Sequence, residues 1–192
     1  MYGYLKIKIM RNIIISAGHG NVRGKDIGAS ANGLIEGVLA VELRDLLSCE
    51  LKNTYNIVAK TDPNSNVLIQ TLAWLKGKFG SKDILLDIHF NAGGGTGVEV
   101  IIPDISSPFE RTLAQNIADR ISSLTGLKKR AGGVKRESDT PRKRLGWMRP
   151  NAENILIEMC FIDNKTDMAI YQSNKIGICK IIALTLNEFS KI

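Results

Sequence analysis

Histidine is nearly absent from this chain. Its 192 residues include two, His19 and His89, so any chemistry that needs an imidazole must run through those positions. Cysteine is almost as scarce. Cys49, Cys160 and Cys179 lie far apart with no CxxC pair, which argues against a disulfide framework and against a thiolate metal cluster. No apolar run approaches the roughly 20 residues that a membrane-spanning helix needs. The first residues, MYGYLKIKIMRN, alternate apolar and basic side chains and lack the apolar core and small-residue cleavage site of a secretory signal. Acid is short against base: 19 Asp and Glu face 26 Lys and Arg, leaving a formal charge of +7. Such a balance suits a polyanionic partner (a wall polymer, a nucleic acid or a membrane surface) without choosing among them.

What remains is globular in composition and long enough for one well-filled core. Three isoleucines in Arg11–Asn21 make an apolar run too short for a helix, read as a buried strand that stops at Gly18-His19-Gly20. A polar, glycine-rich loop (Asn21–Asn32) leads to a helical pattern from Leu34 to about Asn53, with Leu39, Leu43, Leu46 and Leu47 at helical spacing. Tyr55–Thr61 reads as a strand, and Asn66–Phe79 as a helix capped by Gly80. Asp83–Phe90 is the next strand, interrupted only by Asp87 before His89. Gly97–Ile102 follows, with Val98, Val100 and Ile102 alternating. Ser107, Pro108, Glu110 and Gly126 punctuate a helix whose stripe is Leu113, Ile117, Ile121 and Leu124. Lys128–Arg149, with nine basic residues against two acids, lacks periodicity and reads as a charged loop. Asn154–Ile162 is a strand, followed by a short helix (Lys165–Ser173) and a closing one (about Lys175–Phe189). Strands alternating with helices predict a single α/β domain spanning residues 1–192, its core about 12–190: a three-layer, mostly parallel sheet of about five to six strands.

Both histidines end apolar strands, and in open α/β sheets ligands bind beyond the carboxyl ends of the strands. Glu36 opens a helix, where a carboxylate is already favoured by the helix dipole. Glu158 is embedded in an apolar strand, an expensive place for a carboxylate that is neither paired nor protonated. Cys160 is expected on the same strand face, as a small buried hydrophobe. Taken together, His19, Glu36 and His89 form a nitrogen and oxygen ligand set with an open position, the pattern of catalytic zinc. Glu158 then has the role of general base and acid in an amide hydrolysis. No compact HExxH-type motif is present; the ligands are scattered.

Four segments resemble the zinc-dependent N-acetylmuramoyl-L-alanine amidases of the amidase type 3 family: IIISAGHG (13–20), GLIEG (33–37), LDIHFNA (86–92) with GVEV (97–100), and ILIEMCFIDN (155–164). Weaker likeness runs through TGLKKRAGGVK (125–135). The resemblance spans about Asn12 to the C-terminus. It implies zinc on His19, Glu36 and His89, catalysis by Glu158, and substrate contacts from Asn91, Arg130 and Lys135. The substrate implied is peptidoglycan, cut at the amide between N-acetylmuramic acid and L-alanine. Three departures stand out. Ser16-Ala17 replaces the usual Asp-Pro, loosening support for His19. Phe90 replaces a small residue and is expected to narrow the cleft. Ala152-Glu153-Asn154 stands where a Pro-Ala pair is usual. With no wall-binding module in view, the chain looks like a monomeric phage or prophage endolysin, made in the cytoplasm without a signal peptide and acting on the wall or periplasm after release. Three alternatives remain: a zinc peptidase cutting within the stem peptide, a nucleic-acid-binding domain using Lys128–Arg149, and a degenerate binding module that keeps the fold without catalysis. The second explains neither Glu158 nor the strand-end histidines, and the third does not suit four intact functional positions.

Overall fold

The computed structural model describes residues 10–20 and 26–192. Its elements are β1 (Ile13–Ala17), a small hairpin of β2 (Ser30–Ala31) and β3 (Leu34–Ile35), α1 (Glu36–Tyr55), β4 (Lys60–Thr61), α2 (Leu68–Leu75), β5 (Ile84–Asn91), β6 (Val98–Ile102), α3 (Pro108–Thr125), β7 (Lys129–Arg136), β8 (Glu153–Phe161) and α4 (Lys165–Ser190). The expectations for MYGYLKIKI and for residues 21–25 of the first loop lie outside the described residues.

The main sheet has the order β4-β1-β5-β8-β6-β7. Every neighbouring pair is parallel except β6 with β8. The predicted α/β class and mostly parallel sheet are therefore what the chain forms, with six strands. Strand alternation sorts side chains onto two unequal faces. Ile13 and Ile15, Leu86 and Ile88, Val98 and Val100, and Ile155 and Ile157 point into a large core closed by α1, α3 and α4. Leu39, Leu43, Leu47 and Leu51 bring α1 onto that face at four-residue spacing, all buried. The opposite face holds a smaller cluster of Ile14, Leu75, Leu85, Ile101, Trp147, Met148 and Leu156. Among the described residues only the eight-residue α2 and the turn around Trp147 cover the sheet there, so they leave part of that face uncovered.

Several elements differ from the sequence reading, each for a local reason. Helix α1 runs on through Tyr55 and ends at Asn56 in the left-handed region (φ 55°), so the expected strand Tyr55–Thr61 shrinks to Lys60–Thr61. Helix α2 stops at Leu75 rather than Phe79, because Gly77 takes a positive φ and breaks the pattern before Gly80. The two expected C-terminal helices are one continuous α4, with Gly177 packed in its interior close to Leu124. The charged run after Lys128 is not all loop: Lys129–Arg136 pairs in parallel with β6 as an edge strand. Helix α3 forms as its punctuation predicts. Ser107 accepts from the Glu110 N–H, Glu110 reaches back to Ser107, and Gly126 caps the end at φ 77°. Within its stripe, however, Leu124 is exposed.

Candidate active site

The site is built where the exposed sheet face meets the carboxyl ends of β1 and β5. Gly18 turns the chain out of β1 and donates its N–H to the Ile88 carbonyl (2.9 Å), which aligns the two strand ends. A Cβ at Gly18 would collide with the His89 ring, so only glycine lets β1 pass. Gly28, at φ +73°, likewise leaves no room for a Cβ beside Glu36 and His19. The missing Asp at position 16 is compensated from a neighbouring strand end. Asp62, beyond β4, accepts from Ser16 Oγ (3.1 Å) and Ala17 N–H (3.2 Å) and pairs with the buried Arg44 guanidinium (2.8 Å).

His19, Glu36 and His89 converge as the sequence predicted, with one ligand atom from each lying within 4.8 Å of the others. Glu36 is the centre. Its Oε1 lies 3.0 Å from His89 Nδ1 and 3.6 Å from His19 Nε2, and accepts the Phe90 N–H at 3.1 Å. Its Oε2 accepts the Ala29 N–H at 2.8 Å. Burial alone would raise the Glu36 carboxyl, but the hydrogen bond and charge of His89 and the charge of His19 outweigh it and hold the group below the usual carboxylate range. The two imidazoles meet edge to face with centroids 4.9 Å apart. Each has its second nitrogen on a carboxylate: His19 Nδ1 lies 2.8 Å from Asp26, and His89 Nε2 lies 3.1 Å from Asp87. Burial works against an imidazolium at His89, yet Asp87, Glu36 and Glu158 together raise its proton affinity well above the ordinary value.

Glu158 stands in register with His89 on one side and with Glu99 on the other. One of its oxygens, Oε2, is buried without a hydrogen-bond partner. Burial pushes its carboxyl up to about 7; the His89 charge opposes this, and the Glu36 and Glu99 charges add to it. The three residues implied as substrate contacts gather on Glu99, which sequence reading passed over. Asn91 Nδ2 donates to Glu99 Oε1 (2.9 Å), Lys135 Nζ lies 2.8 Å from the same oxygen, and Arg130 Nε lies 3.7 Å from Oε2. Glu99 itself has no exposed surface. Its strand alternation, with Glu between two core valines, was the signal available. Cys160 does not share the Glu158 face. A register shift after His89 turns it into the main core against Met168, and burial raises its thiol far out of the reactive range. Nor does Phe90 narrow the cleft with its ring, which packs edge to face on Tyr171 in the core.

His19, Glu36, His89, Glu99, Lys135 and Glu158 line a cleft of about 510 Å³ that Pro141, Arg142 and Trp147 also border. It is large enough for part of a polymeric substrate.

Fold and cluster together define an α/β protein with a metal-competent His-Glu-His group beyond the ends of parallel strands. Residues 13–187 match the family model described as N-acetylmuramoyl-L-alanine amidase, and the chain belongs to that family. It is 34% identical over 167 residues to the N-acetylmuramoyl-L-alanine amidase CwlM of Bacillus licheniformis, covering 82% of this chain and 59% of that protein. It is 26% identical over 162 residues to the endolysin of Bacillus phage SPP1, covering 83% and 58%. The chain thus spans about three fifths of the length of these curated relatives. Its fold superposes on the N-acetylmuramoyl-L-alanine amidase of Clostridium difficile 630 with a TM-score of 0.69, at 21% identity over 94% of this chain and 95% of that one.

Proposed function

We propose that this chain hydrolyses the amide between the lactyl group of N-acetylmuramic acid and the L-alanine of the peptide stem in peptidoglycan. His19, Glu36 and His89 would hold zinc, and Glu158 is the proton carrier. The observation that carries the reading is the row His89, Glu158, Glu99: it sets an unpaired carboxylate of high proton affinity beside the ligand cluster of a family whose members bear that activity in their names. The donor set fits the metal, since two imidazole nitrogens and one carboxylate oxygen converge while carboxylates occupy the remaining ring nitrogens. When bound, zinc supplies Lewis acidity that polarises the carbonyl oxygen and makes water a better nucleophile near neutral pH.

The chain's own groups then divide the work. Glu158 accepts a proton from the water that adds to the carbonyl carbon and passes it to the departing alanine nitrogen as the C–N bond breaks. Products are a lactyl carboxylate on an intact glycan and a stem peptide with a free amine. Lys135 and Asn91, anchored by Glu99, and Arg130 near them present donors along the cleft where the stem, with its carboxylates and carbonyls, would lie. Pro141 and the edge of the largely buried Trp147 add apolar lining to the cleft. The chain is read as one catalytic domain acting on the wall.

Mass spectrometry of products from purified peptidoglycan tests the reading. Wild type should release stems that begin at a free L-alanine amine and leave glycan chains unbroken. Glu158→Ala should lower the rate at least 10²-fold, within the usual range for a lost general base. Chelation should abolish release. Cuts inside the stem would instead make the protein a peptidase.

A further inference from the structure

Asp87 is a buried carboxylate in the site to which the proposed reaction gives no role. It sits two residues before His89 on β5, so both side chains project from the same sheet face. Only 1% of Asp87 is exposed. Its Oδ2 lies 3.1 Å from His89 Nε2, and its Oδ1 has no hydrogen-bond partner. Ser16 stands opposite it in register on β1, but that hydroxyl is turned to Asp62. A half-satisfied, desolvated carboxylate is costly, and nothing in the packing of β5 requires one there. What it does do is face one nitrogen of His89 while the other nitrogen faces Glu36. Asp26 stands in the same relation to His19, but its side chain is 49% exposed, so water competes for it.

From this geometry we infer that Asp87 is a positioning residue: it holds the proton of His89 on Nε2 and so presents Nδ1, with its lone pair free, to a metal shared with Glu36 and His19. The inference rests on the metal reading of the preceding subsection. The logic is tautomeric. A neutral imidazole carries one proton, and a carboxylate at Nε2 decides which nitrogen keeps it. The choice is firm because Asp87, itself shielded from water, is the side-chain acceptor facing Nε2 among the described residues. Asp26 does the same for His19 more weakly, in a screened position.

The test measures metal affinity rather than turnover. Zinc dissociation constants are determined by competition with a chromogenic chelator for wild type, Asp87→Asn, Asp87→Leu and Asp26→Ala. Circular dichroism and thermal melting of each metal-free protein report folding. Asp87→Leu keeps the branched four-atom outline, at larger volume, and removes the acceptor, and should weaken zinc binding about 10- to 100-fold. Asp87→Asn retains an amide oxygen that can accept from Nε2–H, and should recover part of that loss. Asp26→Ala should cost less than Asp87→Leu. Affinity of folded Asp87→Leu within about twofold of wild type would overturn the inference and leave the metal reading intact. Wild type that binds no zinc would overturn both. A readout independent of variant folding comes from ¹⁵N-labelled histidine in the zinc-loaded wild type. His89 Nε2 should carry a slowly exchanging proton and Nδ1 the shift of a ligated nitrogen; the reverse assignment overturns the inference.

Discussion

Glu99 carries no exposed surface, yet its charge is felt on both sides of the cleft. It collects Lys135, Asn91 and Arg130 and stands beside Glu158 in the sheet. Removing one partner of a buried pair leaves the other charge uncompensated, typically at about 3–5 kcal/mol. Lys135→Met should therefore lower the unfolding free energy of the metal-free protein by about that much in urea titrations, the exposed Arg130 recovering only a fraction. Acid groups also give the metal-free protein a pH signature. The Glu158 carboxyl is raised in the folded state from 4.5 to about 7, so its contribution to stability is fully present below about pH 4.5 and is lost as pH rises through about 7. The raised imidazole of His89 changes stability with the same sign. Thermal midpoints of metal-free protein should fall between about pH 5 and about pH 8, and Glu158→Gln should flatten that slope. At this scale the ligands were legible because histidine is so rare that its two positions had to be weighed, and because each ends an apolar strand. Asp87 and Glu99 were not, since a single acid inside a strand names no partner until neighbouring strands are in register.

Among the elements, α3 illustrates how far local chemistry reaches. Its start and stop are written in adjacent residues, and Ser107 both caps the helix and donates to Glu153 at 2.5 Å, tying α3 to the first residue of β8. Ser107→Ala should cost about 1–2 kcal/mol, the upper part of the range for a lost N-cap, in chemical denaturation. Sequence reading missed the β2–β3 hairpin although its Asn32-Gly33 turn, at positive φ, is a local signal; the other elements it missed or misbounded have causes that are not local. Strand β7 is basic and glycine-bearing along most of its length. Edge strands need no alternating pattern, and its pairing depends on β6 lying beside it. Strand β4 is two residues long and exists because β1 offers a free edge. Helix α4 was divided at a Ser-Asn-Lys stretch that packing carries through as helix, since Tyr171, Ile178, Ile182 and Leu186 all reach the same core. Conversely, α1, β5 and β8 were read within two residues of their ends, because runs of apolar residues at one period leave few alternatives.

Across the whole molecule, the asymmetry of the two sheet faces is what makes room for a site. Three helices seal one face, while α2 and the Trp147 turn cover only part of the other. The His19, Glu36 and His89 group gathers the end of β1, the start of α1 and β5, elements distant in sequence, so zinc bound there should stabilise the whole fold. At free zinc about 100-fold above its dissociation constant the gain is about 2.7 kcal/mol, which for a chain of this size raises the thermal midpoint by about 5–10 °C. Calorimetry with and without zinc checks this, and an unchanged midpoint counts against a site built across those three elements. The charge of +7 acts at longer range. Neutralising Lys128, Lys129 and Arg130 should slow wall lysis at low salt and matter little above about 0.5 M, where screening shortens the reach of such charges to a few ångströms.

The two borders of the sheet also have a bearing on solubility. Among the described residues one border is β4, with a single pair of residues to offer; the other is β7, which carries exposed Lys129, Arg130 and Arg136. An incoming strand would find almost no ladder to extend on the first and strong charge repulsion from a like copy on the second. Among the described residues, neither border of the sheet invites pairing with a second copy of the chain.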